Sequence, residues 1–306
     1  MSDTHFTPPH LARSGVWWNR TTENHSGKMG DALIRRVQEL APDFVIHCGD
    51  FTGVCSHESF ILGESIMNHL GCPWFAVPGN HDTWCGDVRN QFASTFGTSS
   101  SSCSYARKIG GLRFFFLDVA HWYYRDGSIT SVLDHEAMSA GNLVSFGPVD
   151  DDLDRLERDL ARDSIPTVLV THAPVDFRKG YPASTLPKGK PVTAPLTSPD
   201  EIIPPMSNST RLRNIIRDSS TIKACFAGHW HINDAVDKDG VWYIQTGALR
   251  EYPYEIRLVD YSDGTMSIST HGLDVPDLIK ESFVTEWNNR WIAGADDVRS
   301  LDCNFR

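Results

Sequence analysis

The sequence predicts an α/β protein in which short buried strands alternate with helices. Two apolar runs, residues 45–48 and 74–77, each stop at turn residues and lead into a polar side chain, and runs of this length bounded by turns favour buried strands. Helical patterns alternate with these runs, and a strand–helix–strand order favours parallel pairing with the helices as cover. Ligands gather beyond the carboxyl ends of such strands, so Asp50 and Asn80 are expected to share one crevice.

Each predicted element rests on its own local signals. Leu33, Val37 and Leu40 lie on one face of a helix that ends before Pro42, and Ser56 is a suitable N-cap for the next helix. The later elements are a hairpin over 105–118, a helix over 150–162, a strand over 167–171, a helix over 209–216 and a strand over 222–227. A second, more antiparallel sheet is expected from strands over 241–245, 254–260 and 266–271.

The composition excludes some partners. The chain has 306 residues, of which 40% are hydrophobic and 22% are charged, as in a globular protein with a sizeable core. Its formal net charge of −11, without a basic stripe, argues against a nucleic-acid duplex or an acidic membrane as the main partner. No apolar run approaches the roughly 18 residues of a membrane span, and the first residues lack the features of a signal peptide. A small anionic substrate remains compatible, because bound metal ions invert the local field.

The seven cysteines predict a reducing environment. Their number is odd and their spacing is unpaired, so no disulfide framework is expected. Cys48 and Cys225 fall in predicted buried strands, where a thiol behaves as a small hydrophobic group. A cytoplasmic location is the simplest expectation.

One large domain over residues 1–275 is predicted to carry the function, with a C-terminal extension over 276–306. Within the domain, residues 174–206 are rich in proline and have no regular pattern. A loop this long in a compact domain is usually functional, so we predict a lid or an assembly arm there. This arm and the tryptophans of a helical tail over 277–292 are candidate contacts of a homo-oligomer.

The polar residues at the predicted strand ends form a set of metal ligands. They offer carboxylate or amide oxygens and four imidazoles, which suits Zn, Mn, Fe or Co better than Ca²⁺. Two ions about 3.5–4 Å apart can hold a hydroxide between them and clamp a phosphoryl group, and Asp50 is the residue expected to bridge them. The set consists of Asp3, His5, Asp50, Asn80, His172, His229 and His231.

His81 is expected to act on the substrate instead of on a metal ion. It follows Asn80 directly, which would turn its ring towards the substrate side. A histidine in that place can protonate the leaving oxygen or stabilise charge on the phosphoryl group. Asp82 is expected to fix the tautomer of His81, as a carboxylate partner commonly does.

Five motifs therefore follow one another along the chain. They are Asp3-Thr4-His5, Gly49-Asp50, Gly79-Asn80-His81-Asp82, Thr171-His172 and Gly228-His229-Trp230-His231. This series resembles the motifs of the calcineurin-like metallophosphoesterases, and most of all those of the bacterial class III cyclic-nucleotide phosphodiesterases and related glycerophosphodiesterases. The resemblance implies a four-layer α-β-β-α sandwich with mixed sheets and a dinuclear centre. By the same resemblance, one ion would be held by Asp3, His5 and His231 and the other by Asn80, His172 and His229, with Asp50 bridging them and His81 as the catalytic histidine.

The function that the resemblance implies is hydrolysis of a small phosphoester, most of all a diester, by a hydroxide that bridges two metal ions. Hydrolysis of monoesters, nucleotides among them, at the same site is the first alternative. A non-catalytic scaffold of the same fold is the second, but such a protein is expected to have lost ligands or the catalytic histidine. None of these residues is missing from the sequence.

One departure from the family pattern concerns the first motif. A full apolar strand precedes that motif in the family, whereas only Met1 and Ser2 precede Asp3 here. If Asp3 and His5 were poorly anchored, the first metal site would be weak.

Aromatic loop residues are candidates for the wall of the crevice, where they would stack on a base or line an apolar group. Simple packing is the competing interpretation, and residues 121–124 are expected to form an aromatic loop. Asp118 and His47 are interpreted either as support for the site or as ordinary turn and core residues. The aromatic candidates are Trp17, Trp18, Trp84, Tyr123, Tyr124 and Trp230.

Overall fold

Helices and strands alternate along the first hundred residues of the chain, and four consecutive strands follow. The computed structural model describes residues 1–12, 23–176, 206–283 and 292–305. Its helices are α1 (Ser26–Leu40), α2 (His57–Asn68), α3 (Gly86–Phe96), α4 (His135–Ser139), α5 (Asp150–Arg162), α6 (Ser209–Asp218), α7 (Pro276–Ser282) and α8 (Asp296–Arg299). Its strands are β1 (Val45–His47), β2 (Trp74–Ala76), β3 (Tyr105–Ile109), β4 (Leu112–Phe116), β5 (His121–Tyr124), β6 (Ile129–Thr130), β7 (Leu143–Gly147), β8 (Thr167–Val170), β9 (Ile222–Ala227), β10 (Asp234–Lys238), β11 (Val241–Gln245), β12 (Glu255–Ser262), β13 (Thr265–Gly272) and β14 (Ser300–Asn304).

The largest sheet has six strands in the order β10-β11-β9-β8-β4-β3. Its central pairs, β11 with β9, β9 with β8 and β8 with β4, are parallel. The two edge pairs are antiparallel hairpins. The sheet is therefore mixed, and β8 and β9 both end at the same edge, where His172 and His229 follow them.

The first six residues run beside β1, so the first motif is well anchored. The carbonyl of Met1 accepts a hydrogen bond from the Cys48 N–H (2.9 Å), and the Asp3 N–H donates to the Gly49 carbonyl (3.0 Å). On the other side, Ser2 forms a parallel bridge with Ala248. Asp3 is fully buried. Asp3 and His5 are therefore not poorly anchored, and the reason given for a weak first metal site does not apply.

The side chains of the six-stranded sheet alternate between two cores. Phe114 and Phe116 of β4 belong to a core shared with α1, α2, α3 and the β12–β14 sheet, whereas Phe115 and Leu117 belong to a core shared with α5 and α6. This alternation follows from the two-residue period of a strand that is buried on both faces. The predicted α/β class with mixed sheets is confirmed, and the two cores agree with a layered sandwich.

Some elements differ from those expected. Residues 121–124 form β5 instead of a loop, and β5 pairs with β6 and β7 in a small antiparallel sheet. Of the helix expected over 277–292, the structure describes α7, and residues 284–291 lie outside the described residues. Residues 177–205 of the predicted lid or arm also lie outside them. β14 pairs with β13. The division at residue 275 stays a prediction.

The expectation of no disulfide is wrong at one pair of cysteines. Cys55 and Cys85 are bonded, with their Cα atoms 5.8 Å apart. They are 30 residues apart in sequence, and only the parallel pairing of β1 with β2 brings their loops together, so their spacing alone gives no signal. The other cysteines are free, and Cys48 and Cys225 are buried as expected.

Among the described residues, no helix combines the length and the apolar character needed to cross a membrane.

Candidate metal centre

The backbone at the candidate ligands is unusual. Asp3, His5, Asp50, His229 and His231 all have positive φ values, between 45° and 72°. Non-glycine residues rarely adopt this left-handed conformation, and each instance costs on the order of 1–3 kcal/mol unless the surroundings impose it. Such backbone strain clusters at functional sites. Of the ten described non-glycine residues with positive φ, five are candidate ligands.

The glycines of the motifs allow the segments to approach each other closely. A Cβ atom on Gly79 would lie 2.2 Å from the Asp50 Oδ1, and one on Gly228 would lie 2.5 Å from the Asp3 Oδ2. Contacts this short are not tolerated by any larger residue without displacing the carboxylate. Glycine at positions 79 and 228 is thus required by packing against a candidate ligand.

The first group of ligand atoms comes from Asp3, His5 and His231. One side-chain atom from each lies within 4.8 Å of the others. The His231 Nε2 is 3.3 Å from the Asp3 Oδ1, and the His5 Nε2 is 3.9 Å from the same oxygen. Asp3 and His5 are far from His231 in sequence, and the hydrogen bond from the His229 N–H to the Asp3 Oδ2 (2.9 Å) joins the two segments.

The second group comes from Asp50, His172 and His229, again within 4.8 Å of one another. The His172 Nε2 is 3.3 Å from the Asp50 Oδ1, 3.1 Å from the Asn80 Oδ1 and 3.1 Å from the His229 Nδ1. The other oxygen of Asp50, Oδ2, lies 3.6 Å from the His5 Nε2 of the first group. The two oxygens of Asp50 therefore face the two groups.

The donor chemistry of the cluster fits a pair of metal ions. Three buried atoms, the Asp3 Oδ1, the His5 Nε2 and the His229 Nε2, have no hydrogen-bond partner among the described residues. A buried polar atom without a partner costs about 1–3 kcal/mol, and all three are ligand-type atoms that a cation would satisfy. Mixed imidazole and carboxylate ligands suit Zn, Mn, Fe or Co.

Charges within the cluster are strongly coupled. Burial, followed by the charge of His172, lowers the pKa of His229 to about 3, which keeps its imidazole in the neutral form that binds metals. Burial opposes the charge on His172, but the Asp50 carboxylate outweighs it and raises the pKa of His172 to about 9. For His231, Glu251 and Asp3 likewise outweigh burial and raise the pKa to about 10. Bound cations would displace these protons, because metal ligands must be deprotonated.

His81 lies beside both groups. Its backbone N–H donates to the Asp50 Oδ1 (2.9 Å), and its Nδ1 is 3.4 Å from the Gly53 carbonyl oxygen. Its ring is stacked on Trp84, with the ring centroids 3.9 Å apart, and meets the ring of His5 edge-on at 4.6 Å. The structure thus brings His81 together with the predicted ligands.

Asp82 has contacts other than those expected. Its carboxylate accepts hydrogen bonds from the N–H groups of Phe51, Thr52 and Gly79, at 2.7–2.9 Å, and from the Thr52 hydroxyl. These donors would otherwise be buried without partners, so the side chain turns towards them and away from the His81 ring. Asp82 therefore joins the loop after β1 to the loop after β2 and does not fix the tautomer of His81.

Two supporting contacts were not foreseen from the sequence. The Glu251 carboxylate, which is fully buried, contacts the His231 Nδ1, and the Cys48 carbonyl oxygen lies 2.8 Å from the His172 Nδ1. Partners of this kind orient a metal-binding imidazole and raise its basicity. The sequence gives no signal for Glu251, because no motif links it to His231. The His47 Nε2 lies 2.9 Å from the Thr4 Oγ1 and so supports the first motif.

The aromatic candidates divide into those beside the cluster and those away from it. Trp84 stacks on His81, and Phe146, which the sequence did not indicate, packs edge-on against His229 at 5.4 Å. Tyr123 and Tyr124 instead bond to the Pro148 carbonyl and to Asp134. Trp17 and Trp18 lie outside the described residues. Asp118 pairs with Arg89 and not with the cluster.

This fold and this site define an α/β protein with a preformed place for two metal ions. Residues 1–233 match the family model described as calcineurin-like phosphoesterase. The chain belongs to this family, whose members use two divalent metal ions and act on small phosphoesters. Among curated proteins, no significant sequence match was found.

Solved structures share the fold of this chain. A dimetal phosphatase from Danio rerio aligns with a TM-score of 0.68 and 12% identity, over 100% of this chain and 98% of that chain. A purple acid phosphatase from yellow lupin, Lupinus luteus, aligns with a TM-score of 0.52 and 10% identity, over 81% of this chain and 47% of that chain. At these identities the similarity establishes the fold alone.

Proposed function

We propose that this protein is a metal-dependent hydrolase of small phosphodiesters. The observation that carries the proposal is the convergence of the Asp3–His5–His231 group and the Asp50–His172–His229 group on opposite oxygens of Asp50. A buried cluster of this kind, with unpartnered ligand atoms, is costly to the fold unless it binds cations. A protein that serves only as a scaffold would gain nothing from it.

The ligand assignment follows the two groups. Asp3, His5 and His231 would hold one ion, and Asn80, His172 and His229 would hold the other, with Asp50 between them. The short distance between the Asn80 Oδ1 and the His172 Nε2, 3.1 Å, supports including the amide in the second group. The Glu251 carboxylate supports the first group through His231.

The metal ions and His81 would have different roles in the reaction. When bound, the two ions supply hydroxide near neutral pH and neutralise charge on the phosphoryl oxygens. His81 would protonate the leaving oxygen. Its Nδ1 faces the Gly53 carbonyl, so Nε2 is the nitrogen available to the substrate, and the N–H bond to Asp50 ties the backbone of His81 to the bridging residue.

The proposed preference for diesters rests on the resemblance of the series of motifs to that of the class III cyclic-nucleotide phosphodiesterases. Monoester hydrolysis is the second candidate, and one observation favours it. Arg250 is buried, and after burial itself its charge is the largest factor that lowers the pKa of His5. The same charge also lowers the pKa of His81. An additional cation beside the site suits the dianion of a monoester. The similar structures from zebrafish and lupin are both called phosphatases.

The test compares bis(p-nitrophenyl) phosphate with p-nitrophenyl phosphate on protein reconstituted separately with Mn, Zn, Fe and Co. We expect a higher kcat/KM for the diester and a loss of more than a hundredfold in the Asp50→Asn variant, which removes the shared ligand charge. A higher kcat/KM for the monoester would refute the diester preference and leave phosphoester hydrolysis standing. Failure to hydrolyse either ester with any metal would refute hydrolysis itself.

A further inference from the structure

Two loops flank His81, and a disulfide joins them. The loop after β1 carries Asp50 and Gly53, and the loop after β2 carries His81 and Trp84. The Cys55–Cys85 bond connects the loops two residues after Gly53 and one residue after Trp84. The crosslink therefore lies next to Gly53 and Trp84, both of which contact the His81 ring.

Contacts of the His81 ring define its position. The Gly53 carbonyl lies 3.4 Å from its Nδ1, and the half-buried Trp84 ring is stacked on it at 3.9 Å with an angle of 30° between the planes. His5, from the candidate ligand group, meets it edge-on. Of these neighbours, Trp84 covers the flat face of the imidazole and belongs to none of the candidate ligand groups. Its stacking on that face, together with the Gly53 carbonyl and His5, limits the rotation of the ring.

The inner and outer parts of the two loops are held together by different means. Asp82 joins the inner parts through its bonds to the Phe51, Thr52 and Gly79 N–H groups. The disulfide joins the outer parts, next to Trp84. Loss of the disulfide would consequently leave the Asp82 bonds and the candidate ligands in place, while Trp84 would be free to leave the His81 ring.

We propose that Trp84 is a positioning residue for His81, and that the Cys55–Cys85 disulfide keeps the Trp84 ring on the imidazole. The proposal rests on the proposed role of His81 as a proton donor. Proton donation demands that the imidazole stay within hydrogen-bond reach of the leaving oxygen. A displacement of about 1 Å at such a group lowers the rate by up to about a hundredfold. Turnover therefore depends on the crosslink, although neither cysteine is a candidate ligand.

The test uses the metal-loaded enzyme and esters that differ in the acidity of the leaving group. In Trp84→Ala, kcat is expected to fall about ten- to a hundredfold for a phenyl ester, whose leaving group needs a proton. The fall should be much smaller for a p-nitrophenyl ester, whose leaving group does not. KM and the content of bound metal should stay at the wild-type values. Trp84→Phe should restore most of kcat, because a phenyl ring can still stack. Trp242→Ala, which removes another half-buried indole at the far end of β11, is the matched control and should keep the wild-type leaving-group dependence.

The disulfide is tested in the same way. Cys55→Ala/Cys85→Ala should reproduce the leaving-group effect of Trp84→Ala with its metal content intact, and Cys72→Ala, which removes a free thiol, should not. Treatment of the wild type with a phosphine and water reduces the disulfide to two thiols and converts the phosphine to its oxide. This treatment should lower kcat for the phenyl ester, and it should have no further effect on the double variant.

Several outcomes would overturn the proposal. Equal losses with both esters in Trp84→Ala, or loss of metal from it, would mean that Trp84 only supports the fold. Wild-type kinetics in the double variant would remove the disulfide from the proposal. His81→Ala separates this inference from the proposed function. A slow His81→Ala with a normal Trp84→Ala refutes only the positioning role, whereas a wild-type rate in His81→Ala refutes the role of His81 itself.

Discussion

Individual residues of the site are specified by close packing as much as by ligand chemistry. Three candidate ligands, Asp50, Asn80 and His229, each follow an apolar run and a glycine in the sequence, and that pattern has a physical cause. Gly79 and Gly228 sit where any Cβ atom would strike the carboxylates of Asp50 and Asp3. Glu251 could not be found, because it lies in the segment between β11 and β12, which meets the first motif only through tertiary pairing of Ala248 and Leu249 with Ser2.

The close approach at Gly79 predicts the effect of adding one methyl group. Gly79→Ala would place a Cβ atom 2.2 Å from the Asp50 Oδ1, so the carboxylate must move. We expect a loss of at least one bound metal ion, measured by elemental analysis after dialysis. Gly27→Ala is the control, because a Cβ atom there meets nothing within 4 Å, and it should bind metal like the wild type. Full metal content in Gly79→Ala would show that Asp50 can be displaced without consequence.

The contact between Glu251 and His231 predicts a change in metal affinity. Glu251→Gln keeps the size of the side chain and removes the charge that raises the basicity of the imidazole. We expect one of the two Mn²⁺ dissociation constants, that of the ion held by Asp3, His5 and His231, to rise about ten- to a hundredfold in a calorimetric titration. Unchanged binding of both ions would mean that the Glu251 charge does not strengthen His231 as a ligand.

Whole elements were predicted where their signals are local, and missed where they depend on distant pairing. The runs that became β1, β2, β8 and β9 are apolar and end at turns, so sequence periodicity sufficed. The small β5–β7 sheet was missed, because its partners are separated by α4 and its aromatic residues resemble those of a loop. Yet this sheet delivers Phe146 to His229. Part of the wall of the site is therefore built by tertiary pairing that the sequence does not reveal locally.

A buried ion pair between elements predicts how stability depends on pH. Asp118, after β4, pairs with Arg89 of α3, and both are fully buried. Burial opposes the carboxylate charge, but Arg89, aided by His121 and by the N–H groups of Cys103 and Ala120, outweighs burial and lowers the pKa of Asp118 to about 2. A pKa below the ordinary value of 3.8 stabilises the fold above pH 4, and this contribution is lost as the pH falls towards 2.

The size of this contribution can be measured by urea unfolding. The shift in the pKa of Asp118 corresponds to about 2 kcal/mol of unfolding free energy. Asp118→Asn leaves the Arg89 guanidinium buried without its anion, so we expect it to lower stability at pH 7 by about 3–5 kcal/mol. Between pH 5 and pH 2 the wild type should lose more stability than the variant. Equal losses in the two proteins would assign the acid sensitivity to other carboxylates.

Properties of the whole molecule were predicted unevenly. The net charge and the hydropathy pattern agree with a protein that acts on small substrates. The cysteine count was misleading, because the disulfide depends on the pairing of β1 with β2. Disulfides persist mainly in oxidising compartments, so Cys55–Cys85 counts against the predicted cytoplasmic location, which stays a prediction. The lid or assembly arm and the homo-oligomer also stay predictions, because residues 177–205 lie outside the described part.

The stability of the whole molecule is predicted to depend on metal. Five ligand-bearing residues have left-handed backbones, and the cluster buries ligand atoms that have no partner among the described residues. Both are costs of the folded state that a bound cation offsets, and a ligand that binds only the folded state adds about 3 kcal/mol at a hundredfold excess over its Kd. We therefore expect removal of metal by a chelator to lower the Tm by several degrees and Mn²⁺ to restore it. Asp50→Asn lacks the charge shared by the two groups, so its Tm should respond much less to Mn²⁺. If the Tm of the wild type does not respond to metal, or if the variant responds equally, the cluster is not a metal centre.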